Sequence, residues 1–152
     1  MPNMYERVSY STYDESNAFK NGKEGQLPVE GTINRGFEPY DYPNTPEALI
    51  AVKAANLKSP LGLLSEKDRD KAKGLFDIYC AICHGVAGDG KGKLVTQGKF
   101  LGVPNYKDRV INEGSIFHVE MYGLNLMGSY ANQLSQKERW LVASYVMELK
   151  NK

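Results

Sequence analysis

Asp77-Ile78-Tyr79-Cys80-Ala81-Ile82-Cys83-His84-Gly85 is the stretch on which the reading of this chain turns. It closes a helical pattern and opens a glycine-rich loop. Upstream, Ala72, Leu75, Phe76 and Tyr79 recur at i, i+3, i+4 and i+7, one apolar stripe of a helix that runs into Cys80. Ser65 and Asp68 stand at capping-box spacing before it. Cys80 and Cys83 are the only two cysteines of the chain, and His84 and His118 its only histidines. Any metal or redox chemistry must draw on that short inventory.

Two thiols three positions apart at a helix end can reach the two vinyl groups of one haem, and the next residue then offers its imidazole to the iron. Cys80-Ala81-Ile82-Cys83-His84 is therefore read as a c-type haem attachment motif carrying one covalent haem. The alternatives fit less well. A thioredoxin-like dithiol needs a βαβ setting, which is not evident. A zinc site needs a second pair of ligands, and only His118 remains. A structural disulfide leaves His84 unexplained. The loop Gly85-Val86-Ala87-Gly88-Asp89-Gly90-Lys91-Gly92 follows no strand and opens no clear helix, which argues against a phosphate cradle. Its glycines are better suited to tight turns and close backbone approach.

Iron in such a site has a second face. Met127 lies 43 residues after His84, in the loop Gly123-Leu124-Asn125-Leu126-Met127-Gly128-Ser129-Tyr130, and Gly128 leaves space beside it. A loop can fold a thioether back onto iron, so Met127 is the expected sixth ligand. Met121 and His118, both within a predicted helix, are its rivals. Met/His ligation raises the potential of a haem relative to two histidines. On the other face, a metal-bound histidine usually donates its second N–H to a carbonyl or carboxylate. The loop Leu101-Gly102-Val103-Pro104-Asn105-Tyr106 is the candidate supplier, which brings Pro104 and Tyr106 into the expected cofactor site; an ordinary turn is the competing reading.

Around this centre the chain is organised in two parts. It has 152 residues, an ordinary length for one domain with room for an extra segment, 41% apolar content and a net charge of +1. The near-neutral balance gives no argument for nucleic acid or an anionic membrane. No run of 18 apolar residues occurs, so no segment is expected to span a bilayer. No signal peptide is visible at Met1; because covalent haem is normally added outside the cytoplasm, a leader removed or left out is expected. Six of the seven prolines lie at or before Pro60, and five of the ten tyrosines lie within the first 42 residues. Residues 1–45 show no helical or strand periodicity, yet carry Met4, Tyr5, Tyr10, Tyr13, Phe19, Phe37, Tyr40 and Tyr42. Disordered tails are poor in aromatics. Residues 1–45 are thus read as an extended, irregular N-terminal arm for docking on a partner, and 46–152 as the haem domain. Helices are predicted from Pro46 to Leu57, capped by Thr45, from Ser65 into Cys80, from Ser115 to Tyr122, and after Ser135, which pairs with Glu138 as a second capping box. Residues 85–112 are predicted as loop, with Lys91, Lys93, Lys99, Lys107 and Arg109 against Asp89 and Asp108, a local excess of three positive charges.

From about residue 65 to 150 the chain resembles a class I cytochrome c, an all-α fold of about four helices around one haem. The resemblance rests on the helix entering Cys80–His84, the loop methionine and the closing helix. It implies that Gly74 and Phe76 mark the crossing of the first and last helices, with Tyr145 or Trp140 as aromatic partner. The segments Asn3-Met4-Tyr5, Pro28-Val29-Glu30-Gly31-Thr32-Ile33-Asn34-Arg35-Gly36 and Gly123 to Ala131, with Arg139-Trp140 after them, resemble the monohaem cytochrome c subunit of bacterial alternative complex III. That resemblance implies a membrane-anchored quinol oxidoreductase assembly on the periplasmic side of the inner membrane. Its cytochrome subunit would pass quinol-derived electrons toward a terminal oxidase or soluble cytochrome, and would be an electron-transfer subunit rather than an enzyme. In that family a lipid-bearing cysteine usually precedes the arm. None stands before Cys80 here, so an anchor is expected upstream of Met1 or not at all. A free periplasmic shuttle cytochrome is the second reading, and an enzyme such as a haem peroxidase or a ligand sensor the third.

Overall fold

The structure, a computed structural model, describes residues 8–33 and 35–152. Asn3, Met4 and Tyr5 and the Asn34 of the second matching segment lie outside the described residues. Secondary structure is helical, with isolated bridges only at Glu15–Lys23 and Leu124–Met127 and no strand among the described residues. The chain divides into two compact units, Met1–Phe37 and Glu38–Lys152.

In the first unit, Ser11 to Gln26 turn back on themselves instead of running extended. Ser16 N–H donates to the Gly22 carbonyl at 3.0 Å, Glu24 N–H to the Asp14 carbonyl at 2.9 Å, and Ser16 is buried. Val8, Tyr10, Tyr13, Phe19, Leu27, Val29, Ile33 and Phe37 are all exposed.

The second unit begins with Tyr40 and Tyr42 packed on a helix, then α1 (Pro46–Ala55), α2 (Glu66–Tyr79), the one-turn α3 (Ala81–His84), the one-turn α4 (Lys93–Thr96), a 3-10 turn (Tyr106–Asp108), α5 (Glu113–Tyr122) and α6 (Gln136–Asn151). The caps follow from local chemistry. Thr45 Oγ1 accepts from Ala48 N–H at 3.1 Å with Pro46 in the first turn, and Asn56 ends α1 in the left-handed region. Ser65 caps α2, and Ser135 with Glu138 forms the reciprocal capping box of α6. The predicted start of α5 at Ser115 is two residues late. Asn112 is its cap, and Ser115 is the residue that returns a bond to the Asn112 backbone.

α2 crosses α6, and the core sits at that crossing: Ala72, Phe76 and Cys80 meet Leu141, Val142, Tyr145, Val146 and Leu149. Burying a side chain such as Phe76, which is wholly enclosed, contributes about 2 kcal/mol. Tyr145 is its aromatic partner, edge to face at 5.5 Å; Trp140 instead stacks on Phe117 at 4.2 Å. Gly74 is not at the crossing. It is exposed, and a Cβ built there meets nothing within 4 Å; Ala72, one half-turn earlier, takes the contact. α5 packs on both α6 and α1. Glu113 ties α5 to α6 and to the segment after α1, its carboxylate accepting from Ser144 Oγ and from Ser59 N–H, each at 3.0 Å.

Candidate functional site

The site grows from the end of α2. His84 N–H and Cys83 N–H both bond the Cys80 carbonyl, at 2.9 and 3.1 Å, so one helical turn carries Cys80, Cys83 and His84 on neighbouring positions of a single face. Neither thiol is in a disulfide. The glycine loop locks onto this turn by backbone approach. Gly90 N–H donates to the His84 carbonyl at 2.8 Å and Gly92 N–H to the Cys83 carbonyl at 3.1 Å. A Cβ at Gly92 would run into the Ile82 and Cys83 backbone, and one at Gly90 would meet the Pro104 carbonyl at 3.2 Å. Gly85, Gly88 and Gly90 lie at positive φ, where a side chain is strained. Tyr106 covers the turn. Its ring stacks on His84 with centroids 4.9 Å apart and 23° between planes, and a Cβ at Gly88 would strike it.

Burial sets the electrostatics. It pushes the Cys80 thiol up to about 12, because an apolar surrounding disfavours the charged thiolate. Burial lowers the pKa of His84 and keeps its imidazole neutral, the form that binds metal. Its Nδ1 is buried and has no protein partner, an atom that costs stability unless something satisfies it. Pro104 lies against Gly90, and its carbonyl does not bond that nitrogen. Among the described residues no three His, Cys, Asp or Glu side chains group as a metal cage. The donor set is instead two free thiols and one neutral imidazole with an unsatisfied nitrogen, and it fits a haem: a thioether leaves no ionisable group to bury.

Met127 lies on a turn of its own. The turn Leu124–Met127 closes by mutual backbone bonds of 2.9 and 3.0 Å. Met127 lines a cavity of about 470 Å³ with Thr45, Leu49, Ile50, His118 and Tyr122, and no residue of the Cys80–His84 turn lines it. A Cβ at Gly128 meets nothing within 4 Å. Met121, partly buried, packs against the Phe117–Trp140 cluster. His118 is buried, its Nδ1 at 3.0 Å from the Tyr40 hydroxyl, a packed histidine with a partner.

One residue of this neighbourhood was missed in the sequence. Glu120 is 4% exposed, and its Oε2 has no partner. The signal was present: Ile116, Phe117, Glu120 and Met121 form an i, i+1, i+4, i+5 stripe, so Glu120 occupies a position that the pattern reserves for an apolar residue.

With this geometry in view, comparison with known proteins decides the family. The family model for cytochrome c oxidase, cbb3-type, subunit III matches residues 67–146, a little over half of the chain. The chain belongs to that cytochrome family. It is an electron-transfer protein whose cofactor is covalently bound c-type haem, and its all-α fold is that of a cytochrome c. No curated protein matches it. Among solved structures it is similar to a chain of the reducing HAO-like protein complex of Kuenenia stuttgartiensis, at 26% identity and a TM-score of 0.50, over 61% of this chain and 49% of that one. The match thus spans about half the length of that chain.

Proposed function

We propose that this cytochrome carries a single haem on Cys80 and Cys83 with His84 and Met127 as axial ligands, and that it passes quinol-derived electrons within an alternative complex III on the periplasmic side of a bacterial inner membrane, toward a terminal oxidase or soluble cytochrome. The haem supplies the one-electron Fe(III)/Fe(II) couple; the chain supplies attachment, a neutral imidazole and a dry wall. The observation that carries the haem assignment is the Cys80–His84 turn, with its buried, neutral, unsatisfied imidazole under Tyr106.

Membership of a larger assembly is supported by the segment before Glu38. It leaves eight apolar or aromatic side chains exposed, from Val8 to Phe37, and Phe or Tyr burial on a partner is worth a few kcal/mol each. The resemblance to the alternative complex III subunit also spans this segment as well as the haem domain. That the similar Kuenenia chain comes from a protein complex agrees with this reading. Docking is tested by a chain that begins at Glu38, keeping Tyr40 and Tyr42 on α5. It is expected to bind haem with an unchanged visible spectrum and to fail to co-purify with quinol-oxidising activity. Full-yield co-purification of that chain overturns docking through the segment, and recovery of the intact protein alone in the soluble extract favours a free shuttle.

A further inference from the structure

We infer that Glu120 is a proton-binding site coupled to the haem: its carboxyl takes up one proton from water for each electron that a one-electron donor delivers to the iron, and returns it when the electron leaves. This rests on the attachment of haem at Cys80. No bond to carbon is made or broken; one electron and one proton enter together and leave together.

The geometry is the warrant. Glu120 sits in the last turn of α5, enclosed, with one carboxylate oxygen lacking any partner. Tyr130 N–H is close by but donates to the Glu120 backbone carbonyl, at 2.7 Å, and leaves the carboxyl alone. Arg139 of α6, whose charge opposes the burial of the carboxyl, forms no ion pair with it among the described residues and is otherwise engaged. Its guanidinium donates to the Leu134 carbonyl at 2.7 Å and lies over the Phe117 ring at 5.2 Å, and its own Nε is buried without a partner. An enclosed carboxyl held in this way is raised well above the usual carboxylate range, because burial outweighs the attraction of Arg139. The neighbours of Glu120 place it at the cofactor. Tyr130, whose N–H donates to the Glu120 carbonyl, donates its hydroxyl to the carbonyl of Tyr79, next to Cys80, at 3.2 Å, and Tyr130 and Ile116, one turn before Glu120 on α5, pack on the cluster that holds Cys80, where the macrocycle would be joined.

The sign follows. Ferric haem carries one more positive charge than ferrous haem, so the carboxylate form of Glu120 is favoured more in the oxidised protein. Its proton affinity is therefore higher in the reduced protein, and the potential falls as pH rises between the oxidised-state and reduced-state pKa values. Three groups near Glu120 do not titrate with it. Arg139 stays charged, the Tyr106 phenol is pushed further up by burial, and a thioether at Cys80 has no proton to exchange. α1 meets α5 near Gly114, at the far end of the helix. On α5 itself His118 is held by Tyr40 and Glu113 by Ser59 and Ser144.

The experiment is a spectroscopic redox titration of the haem-loaded protein across pH, for the wild type and Glu120→Gln, with redox-difference infrared spectra of both. The wild type is expected to show a potential that falls with pH by up to about 59 mV per unit, the value for one proton per electron, and a protonated-carboxyl C=O band gained on reduction. Both should vanish in Glu120→Gln. Equal slopes in the two proteins would assign the coupling to the haem propionates and overturn the proposal, as would a constant, pH-independent offset. If Glu120→Gln does not fold, the wild-type infrared spectrum decides alone: no carboxyl band gained on reduction overturns it. Haem that extracts freely from denatured wild type would defeat attachment, and the haem stain shows that before any titration begins.

Discussion

The His84 turn and the Met127 turn, proposed as the two faces of the haem site, are built in different ways. The His84 face is assembled by the protein itself: Gly90 and Gly92 bond the motif backbone, and Tyr106 closes over the imidazole. The Met127 face is a short hydrogen-bonded turn whose flanking Leu124 and Leu126 are exposed and whose methionine borders a separate cavity. The first face is nearly complete as a stack of local contacts. The second is closed by its own backbone bonds, with no side chain of the Cys80–His84 turn lining its cavity. Where both sides of a site are named by sequence, the side made of neighbours in sequence is the one the chain can form alone.

The largest effect belongs to attachment. Cys80→Ala and Cys83→Ala should each remove one thioether, and the double variant should lose all covalent haem, read as a missing haem stain on a denaturing gel. Retention of stain by the double variant would remove the motif from the argument. Next comes the face that the chain does not complete. Met127→Ala should abolish the weak far-red absorption of a Met–Fe(III) bond and leave a high-spin or replaced ligand, whereas Met121→Ala should keep the band and cost about 1–3 kcal/mol of stability as the truncation of a partly buried side chain. A band that survives Met127→Ala means that another residue reaches the iron.

Two glycines then sharpen the contrast by opposite signs. Gly92→Ala drives a methyl into the Ile82 and Cys83 backbone, and should destabilise by about 1–3 kcal/mol as overpacking. Gly74→Ala, exposed in mid-helix with open space around it, should stabilise by about 1 kcal/mol through helix propensity. Thermal denaturation of the two haem-loaded variants checks both. A Gly92→Ala protein as stable as wild type would mean that the close packing of the His84 face is not a constraint.

How much of this was legible follows the same division. The attachment turn, the Ser65 and Ser135 caps and the Thr45–Pro46 start are local chemistry, and the chain alone declares them. The Asn112 cap was missed because its partner is Ser115 rather than the usual Glu or Gln. Gly74 was placed at the helix crossing by resemblance, yet the small residue that the crossing uses is Ala72; which of two small residues faces a neighbour depends on the phase of the helix against α6. Tyr145 against Trp140 was left open for the same reason, and Phe117 decides it by taking Trp140. Glu120 escaped because a glutamate in a helix reads as solvated face until burial on all sides is seen.

The smallest effect concerns where electrons leave. The loop on the His84 face exposes Lys91, Lys93, Lys99, Lys107 and Arg109. The ion pairs among the described residues, Arg69–Glu148, Lys71–Glu138 and Lys73–Asp77, engage none of them. The Met127 turn, by contrast, presents leucines. A basic rim on one face and an apolar neutral turn on the other give an acidic partner a reason to approach from the His84 side. Charges of this kind act on encounter more than on the bound complex, and salt screens them over about 8–10 Å. Reversing Lys91 and Lys93 to Glu replaces two positive charges by two negative ones on the same loop. It should slow electron transfer to an acidic acceptor several-fold at low ionic strength and converge on the wild-type rate at high salt, with the visible spectrum unchanged throughout. Stopped-flow reoxidation at the two ionic strengths separates the cases. A rate unmoved at low salt would shift the exit to the apolar turn around Leu124 and Leu126, where the same measurement on Leu126→Glu would then carry the effect, and with little dependence on salt, because the lost contact there is burial rather than charge.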